Sequence, residues 1–224
     1  MNNLTPRDLK WRMIVSAALP IDDNNEIEAP QESCSGYRGI AVLPTFVKDV
    51  RANLPSESDC NLVGLVAYPF GGVSCNTKVT EIRQLVYQGC DAFNIIANTA
   101  LMLNGDWEEV ECDLISVVKS ASGRPVTKTI EAAYLNEEQI RRMVEICLDC
   151  GVEAISTTTG CLPNVPDIQK ISLIKSIVGD SLLIEAGGIL SYDQFMLAAD
   201  AGADRFNIRR QTAEAILAQV EQMN

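Results

Sequence analysis

The sequence predicts an α/β protein whose parallel strands close into a single (β/α)8 TIM barrel. After the first forty residues, short β-branched or apolar runs alternate with amphipathic stretches of helical period, which is typical of a parallel sheet. Eight such runs favour a closed barrel over an open sheet. The 224 residues suit one domain of this type, and no Pro/Gly/Ser-rich linker divides them. We therefore expect one domain over residues 1–224.

The strand candidates recur at intervals that leave room for a helix between successive strands. They are Met13–Ala17, Arg38–Leu43, Asn61–Ala67, Ala92–Asn98, Val126–Glu131, Ala154–Thr158, Leu182–Ala186 and Arg205–Ile208. One intervening helix is predicted over Glu137–Cys150, with Asn136 as its N-cap and Gly151 as its C-terminal stop. The polar, acidic segment Ile21–Ser35 predicts a long loop, a short helix or a partly disordered stretch.

Charge and hydropathy narrow the classes of partner. The net charge of −12 is spread along the chain, and an acidic surface repels phosphate backbones, so we expect no nucleic-acid partner. No apolar run is long enough to span a bilayer, and the N-terminus lacks the apolar core of a secretion signal. These features predict a cytoplasmic protein without a membrane partner.

The chain has eight cysteines and no histidine. Without imidazole, Ser-His and Cys-His nucleophilic pairs are excluded, and proton transfer falls to carboxylates, lysine, tyrosine, cysteine or water. The one close pair, Cys147 and Cys150, stands where a helix ends, whereas redox pairs stand where a helix begins. We expect structural thiols there, and the spacing needed for a zinc site is missing. No metal and no cofactor are predicted.

The active site of such a barrel lies at the carboxyl ends of the strands, and side-chain alternation indicates which residues face the lumen. The polar positions directed inward are Asn94, Asn98, Thr127, Thr129, Glu131, Ser156 and Thr158. Such groups are costly to bury unpaired, so they predict either a polar pocket or a network satisfied by neighbours. Lys128 has the opposite parity and is predicted to point toward the helix layer.

Two turns at the carboxyl ends have the composition of a phosphate site. Thr159-Gly160 follows the sixth strand, and Gly187-Gly188 follows the seventh. Glycines at such a turn can present backbone N–H groups to a phosphate, and the phosphate sites of these barrels follow strands seven and eight. The same glycines also suit a tight strand-to-helix turn without a ligand, so both interpretations stay open.

Several segments resemble the deoxyribose-phosphate aldolase family. They are GLVAYPFGG, GCDAFNIIAN, VTKTIEAAYLNEEQI, GVEAISTTTG, IEAGGI and GADRFNI, in the order and spacing of the family. The resemblance spans Gly36 to Ile208, and the first thirty-five residues match poorly. It implies an aldolase, a carbon–carbon lyase of carbohydrate metabolism on a (β/α)8 barrel. Such an enzyme joins acetaldehyde to glyceraldehyde 3-phosphate through a Schiff base, with no metal.

The residues that the resemblance makes catalytic are replaced in this chain. The imine-forming lysine of the sixth strand corresponds to Ser156, and the second lysine, on the seventh strand, corresponds to Ile184. The aspartate of the fourth strand corresponds to Asn94, and a further lysine on the fifth strand corresponds to Thr127. An imine requires a primary amine, which none of these side chains has. The usual mechanism is therefore predicted to be lost.

The resemblance also implies a sugar-phosphate-like ligand, and a homodimer because family members often pair. It places the phosphate-binding end of the eighth strand at Asn207-Ile208-Arg209-Arg210, where the family is rich in glycine and serine. Arg209 is predicted to hold the anion. The alternative is that both arginines are ordinary surface charges on the final helix.

Four hypotheses of function follow. In the first, the chain handles a small phosphorylated or polar metabolite and Glu131 is a general acid/base, unless it is a structural carboxylate. The groups that would orient the ligand are Asn94, Asn98, Thr127, Ser156 and Thr158. In the second, a bulge turns Lys128 inward to form the imine. In the third, the chain is a pseudoenzyme that binds a ligand or partner protein. The fourth hypothesis, a metal-assisted lyase with Glu131 and Glu185, is the weakest. The resemblance directs Ile184 inward, so the neighbouring Glu185 is expected to point outward. The chain also has no histidine that could serve as a metal ligand.

Overall fold

The structure is a computed structural model that describes residues 5–23, 26–27, 34–55, 58–162 and 167–223. Its eight parallel strands form a closed barrel in chain order, and pairing of Met13 with Phe206 joins the first strand to the last. The predicted (β/α)8 TIM barrel is thus confirmed. The strands are β1 Met13–Ala17, β2 Gly39–Val42, β3 Asn61–Val66, β4 Ala92–Ile96, β5 Val126–Thr129, β6 Ala154–Ser156, β7 Leu183–Ala186 and β8 Arg205–Arg209.

Helices surround the barrel. They are α1 Pro6–Trp11, α2 Val47–Asn53, α3 Cys75–Tyr87, α4 Thr99–Asn104, α5 Trp107–Ser120, α6 Glu137–Asp149, α7 Ile168–Val178, α8 Tyr192–Asp200 and α9 Arg210–Met223, with short 3-10 helices at Pro44–Phe46 and Ala132–Tyr134. Helix α6 begins as predicted, because Asn136 and Gln139 form a reciprocal capping box. It is followed by Gly151 at φ +70°, a conformation that favours glycine. The prediction for Ile21–Ser35 falls largely on residues 24–25 and 28–33, which lie outside the described residues.

Each strand begins within one residue of its predicted start, but three strands, β4, β5 and β6, end two residues before their predicted ends. In β4 the strand stops at Ile96, and Asn98 leaves the sheet to cap α4 by accepting a hydrogen bond from Leu101 N. In β5 the strand stops at Thr129, and Glu131 becomes the N-cap of the following 3-10 helix. Polar residues predicted as strand ends therefore belong to the turns that form the mouth of the barrel.

The barrel interior differs from one side to the other. On β1, β2 and β3 the inward side chains are mostly apolar and include a small cluster of Ile14, Ala41, Val63 and Leu65, whereas Ser16 of β1 faces the cavity. On β4, β5, β7 and β8 the interior holds amides, hydroxyls and charged groups. The outward side chains of all strands pack against the helices in the large core cluster.

Two further features of the described residues concern the chain as a whole. None of the helices in these ranges combines the length and apolar character needed to cross a membrane. All eight cysteines are free thiols. Burial raises the pKa of Cys147 to about 12, so this thiol stays protonated at neutral pH.

Candidate active site

A cavity of about 140 Å³ opens at the carboxyl ends of the strands, where barrels of this type hold their active sites. It is smaller than the sites of drug-sized ligands, so it suits a small metabolite. Its apolar wall includes Leu65, Ile96 and Ile189. Its polar groups are Ser16, Tyr68, Asn94, Thr129, Thr158, Thr159, Asn207 and Arg209.

The predicted phosphate turns meet at one wall of this cavity. Gly160 and Gly188 have φ angles of +74° and +68°, a region that L side chains rarely adopt. A Cβ atom at Gly187 would lie 2.5 Å from the carbonyl oxygen of Thr158, so only glycine fits there. The wall is therefore made of backbone atoms from two turns packed on each other. In the turn after β6 the N–H groups of Thr159 and Gly160 already donate to Glu131 and to Thr158 Oγ1, so the turn of Gly187 and Gly188 is the one that can present N–H groups to an anion.

Arg209 also lines the cavity, and its guanidinium forms two hydrogen bonds with Asp22, at 2.7 and 3.1 Å. These bonds raise the pKa of Arg209. Burial acts to raise the pKa of Asp22, but the hydrogen bonds from Arg209 and from Leu19 N outweigh it and hold that pKa below its usual value. Arg210 pairs instead with Glu214 and Glu26 outside the cavity. The two arginines thus have different roles.

Glu131 lies behind the cavity wall and is not among the residues that line it. Its carboxylate accepts hydrogen bonds from Thr158 Oγ1 at 2.8 Å, from Thr159 N at 3.0 Å and from Thr159 Oγ1. The side chain is buried. This geometry is that of a carboxylate that fixes the turn after β6, and a general acid/base role for Glu131 stays a prediction.

Asn94 forms part of the floor of the cavity, and both the oxygen and the nitrogen of its side-chain amide are hydrogen-bonded. Thr129 Oγ1 donates a hydrogen bond to Asn94 Oδ1, and Asn94 Nδ2 donates to Glu185 Oε1 at 3.3 Å. Thr127 lies deeper, where it accepts a hydrogen bond from Arg205 and lines a second small cavity toward the other end of the barrel. These contacts fit the interpretation of a satisfied network for Asn94 and Thr127.

The other predicted orienting groups occupy different places. Thr158 lines the cavity. Ser156 is buried in the barrel interior below it, and its Oγ makes no hydrogen bond within the described chain. Asn98 caps α4 and is absent from the cavity wall of the described structure. A ligand contact by Asn98 or Ser156 therefore stays a prediction.

The expected parity of β7 was wrong. Glu185 points into the barrel, where Arg205 Nε lies 3.0 Å from its Oε2, and Ile184 packs in the outer core. Pairing of Glu185 with Arg205 across β7 and β8 places both side chains on the inward face. An ion pair in the lumen satisfies the carboxylate, whereas the helix layer at this point is apolar. Among the described residues, Glu131 and Glu185 are not part of any cluster of three or more candidate metal ligands.

Lys128 points outward, as its parity predicted. Its Nζ is fully buried in the helix layer, 3.9 Å from Asp113 of α5, and Asp113 also binds Lys78 of α3 at 2.6 Å. Burial, followed by the charge of Lys78, lowers the pKa of Lys128 to about 8. All seven lysines of the chain lie within the described ranges, and none of them lines the cavity. The geometry therefore argues against a relocated imine lysine at position 128.

Sequence reasoning missed three cavity features. Tyr68 lines the wall with its Oη 2.8 Å from Cys161 Sγ, and burial raises the pKa of Tyr68 well above its usual range. Ser16 of β1 completes the polar floor together with Asn207, which the resemblance had placed at the end of the eighth strand. The inward parity of β1 could have indicated Ser16. The pairing of Arg209 with Asp22 had no signal, because 187 positions separate the two residues.

Comparison with known proteins was made by sequence and by structure. No protein-family model matches the chain. Deoxyribose-phosphate aldolase of Klebsiella pneumoniae is 31% identical over 227 aligned positions, which cover 99% of this chain and 91% of that protein. The aldolase of the same name from Rhizobium meliloti is 29% identical, with coverage of 97% and 89%.

Two solved structures share the fold. "QR15, an Aldolase" matches with a TM-score of 0.87 and 24% identity over 96% of each chain. The deoxyribose-phosphate aldolase of Aeropyrum pernix, described as tetrameric, matches with a TM-score of 0.87 and 21% identity over 98% of this chain and 94% of that one. These likenesses extend over the whole barrel.

Proposed function

Because this chain belongs to the deoxyribose-phosphate aldolase family, we propose that it binds a small phosphorylated sugar or aldehyde without forming a Schiff base. One observation carries the proposal: the cavity joins a glycine-turn wall to a polar floor, and no lysine of the chain lines it. The turns supply an anion site, the amides and hydroxyls suit a sugar, and an imine has no amine to form on.

The proposal extends to the loss of turnover. Among the described residues that line the cavity, Tyr68 and Arg209 are the ones with a titratable side chain. The raised pKa of Tyr68 keeps its phenol protonated at neutral pH, and Arg209 is held as a cation by Asp22. Neither group is placed to accept a proton from a substrate carbon. Binding without aldol chemistry therefore fits the cavity best.

Location and assembly belong to the same proposal. Eight free cysteines suit a reducing compartment, so we propose that the chain works in the cytoplasm. A homodimer is proposed from membership of the family alone.

The first test is intact-mass analysis after borohydride reduction in the presence of deoxyribose 5-phosphate or acetaldehyde. We expect no adduct on this chain, while an active Schiff-base aldolase treated in parallel is labelled. An adduct on any of the seven lysines would contradict the proposal and restore imine chemistry.

The second test is calorimetric titration with deoxyribose 5-phosphate. Asn207→Asp adds a negative charge to the cavity floor, and we expect it to weaken binding about tenfold, because charge repulsion there is worth about 1–2 kcal/mol. The matched control is Asn53→Asp, which adds the same charge on the exposed end of α2. Equal effects of both substitutions would show that the ligand does not enter the cavity.

A further inference from the structure

We propose that Asp22 determines the charge specificity of the cavity, because it occupies the guanidinium that a ligand phosphate would use. The inference rests on the proposed function for the class of ligand. It goes further by stating that, in the native chain, a ligand phosphate gains little affinity from Arg209 beyond what the glycine turns supply. Removal of the Asp22 charge should therefore strengthen phosphate binding through Arg209.

Arg209 is the one cation that lines the cavity within the described chain. Both of its terminal nitrogens bond to Asp22, so the planar fork that could grip a phosphate is already filled by a carboxylate. Arg205, another cation of the barrel interior, is bonded to Glu185 and Glu153. An incoming anion therefore has to compete with Asp22 for its partner.

The surroundings of Asp22 hold its carboxylate against the guanidinium of Arg209. Its side chain is only 3% exposed, against 31% for Arg209. Leu19 N donates a hydrogen bond to Asp22 Oδ2 at 2.8 Å, which fixes the carboxylate against its own loop. A preorganised intramolecular anion costs little entropy to hold, so a free phosphate competes poorly with it.

A second acid nearby gives a matched control. Glu26 comes only within 3.9 Å of Arg209, and its carboxylate bonds mainly to Arg210 and Gln211. Glu26→Gln therefore removes the same charge from the same loop without releasing the cavity arginine. Asp22→Asn keeps an oxygen acceptor for Leu19 N and removes the charge that neutralises Arg209.

The experiment is calorimetric titration of the full chain with deoxyribose 5-phosphate, unphosphorylated deoxyribose and inorganic phosphate. For Asp22→Asn we expect at least tenfold tighter binding of the two phosphate-bearing probes and less than a twofold change for deoxyribose. Glu26→Gln should change each affinity less than threefold. Arg209→Gln added to Asp22→Asn should abolish the gain.

The outcomes separate this inference from the proposed function. Equal gains for Asp22→Asn and Glu26→Gln would overturn it, because general charge would then explain the effect. No gain for Asp22→Asn, or a gain that survives Arg209→Gln, would also overturn it. If no variant binds a sugar but Asp22→Asn gains affinity for inorganic phosphate through Arg209, the specificity inference stands and the proposed ligand class fails.

Discussion

At the scale of single residues, the helix layer holds an unbalanced charge. Lys78 and Lys128 share one carboxylate, that of Asp113, and all three side chains are buried. Asp113 Oδ1 has no hydrogen-bond partner within the described chain, so the carboxylate lacks one of the hydrogen bonds that a buried charged group requires. A buried cation without a carboxylate of its own is costly, and the low pKa of Lys128 reflects that cost.

The sign of the pH effect follows from this pKa. Lys128 has a pKa of about 8 in the folded chain against a reference of 10.5, so between these values the unfolded chain binds more protons. The contribution of Lys128 to stability is therefore most favourable above pH 10.5 and becomes less favourable as the pH falls from 10.5 to 8. Below pH 8 the penalty is constant, at about 3 kcal/mol from the size of the shift.

We expect Lys128→Met to stabilise the chain at pH 7 by about 1–3 kcal/mol, because it removes the surplus charge and leaves Lys78 paired with Asp113. The measurement is urea unfolding at pH 7 and again above pH 10.5, where the gain should vanish. Lys119→Met, on the exposed face of α5, is the control and should change stability by less than about 0.5 kcal/mol. A destabilised Lys128→Met protein would contradict the account.

At this scale, the sequence could predict the side of the sheet to which a strand side chain points. It could not predict which residue that side chain contacts. Side-chain alternation along β5 correctly predicted that Lys128 points outward. The sequence did not indicate that Asp113 and Lys78 would meet it, since they come from two different helices. On β7 the direction itself was wrong, because it rested on the lysine position that the resemblance assigned to Ile184. The three-residue and four-residue strands β6 and β7 are too short for alternation to correct such an error.

At the scale of elements, all eight strands were predictable because each carries a continuous apolar or alternating run between turn residues. The ends were less predictable, because a polar residue that follows a strand can either continue the sheet or cap the next element. Asn98 and Glu131 both leave the sheet, and each then hydrogen-bonds backbone N–H groups. Such local competition depends on tertiary contacts that alternation does not record.

The turn after β6 depends on Glu131 of the neighbouring connection. Glutamine has one acceptor oxygen where the carboxylate has two, so Glu131→Gln leaves a buried donor of Thr158 or Thr159 unpaired. We expect a loss of about 1–3 kcal/mol in the free energy of unfolding, and weaker deoxyribose 5-phosphate binding because Thr159 and Gly160 form the cavity wall. Both quantities are measured by urea unfolding and calorimetry.

The control for that substitution is Glu138→Gln, at an exposed position in the first turn of α6. It should alter stability by less than about 0.5 kcal/mol and leave ligand affinity unchanged. If Glu131→Gln behaved like Glu138→Gln, the carboxylate would not be bracing the turn, and the general acid/base interpretation would become the better one.

At the scale of the whole molecule, a chain of alternating charges runs through the barrel. Arg38 Nη2 lies 3.3 Å from Glu153, Glu153 lies 2.6 Å from Arg205, and Arg205 lies 3.0 Å from Glu185. Glu185 then bonds to Asn94 on the cavity floor. The residues come from distant parts of the sequence, so no local sequence pattern predicted this series of alternating charges. It links the candidate site to the opposite end of the barrel, where Arg38 and Glu153 are partly exposed.

Arg205 lies at the centre of this series of alternating charges, and its substitution gives the sharpest test of the barrel interior. Arg205→Met leaves the carboxylate of Glu185, which is 0% exposed, with the amide of Asn94 as its one remaining side-chain donor among the described residues. We expect a loss of about 3–5 kcal/mol in urea unfolding, because an uncompensated charge stays buried. The double variant Arg205→Met with Glu185→Met should recover most of that loss, since two apolar side chains replace the pair.

Arg141→Met is the matched control, because it breaks an exposed pair with Glu137 on α6 and should cost less than about 1 kcal/mol. Recovery in the double variant would mean that the interior charges cancel each other and serve the site rather than stability. A double variant as unstable as Arg205→Met would mean instead that the hydrogen bonds of Arg205 to Thr127 and Glu153 hold β5, β8 and the start of β6 together. The barrel would then depend on the arginine itself and not on the balance of charge.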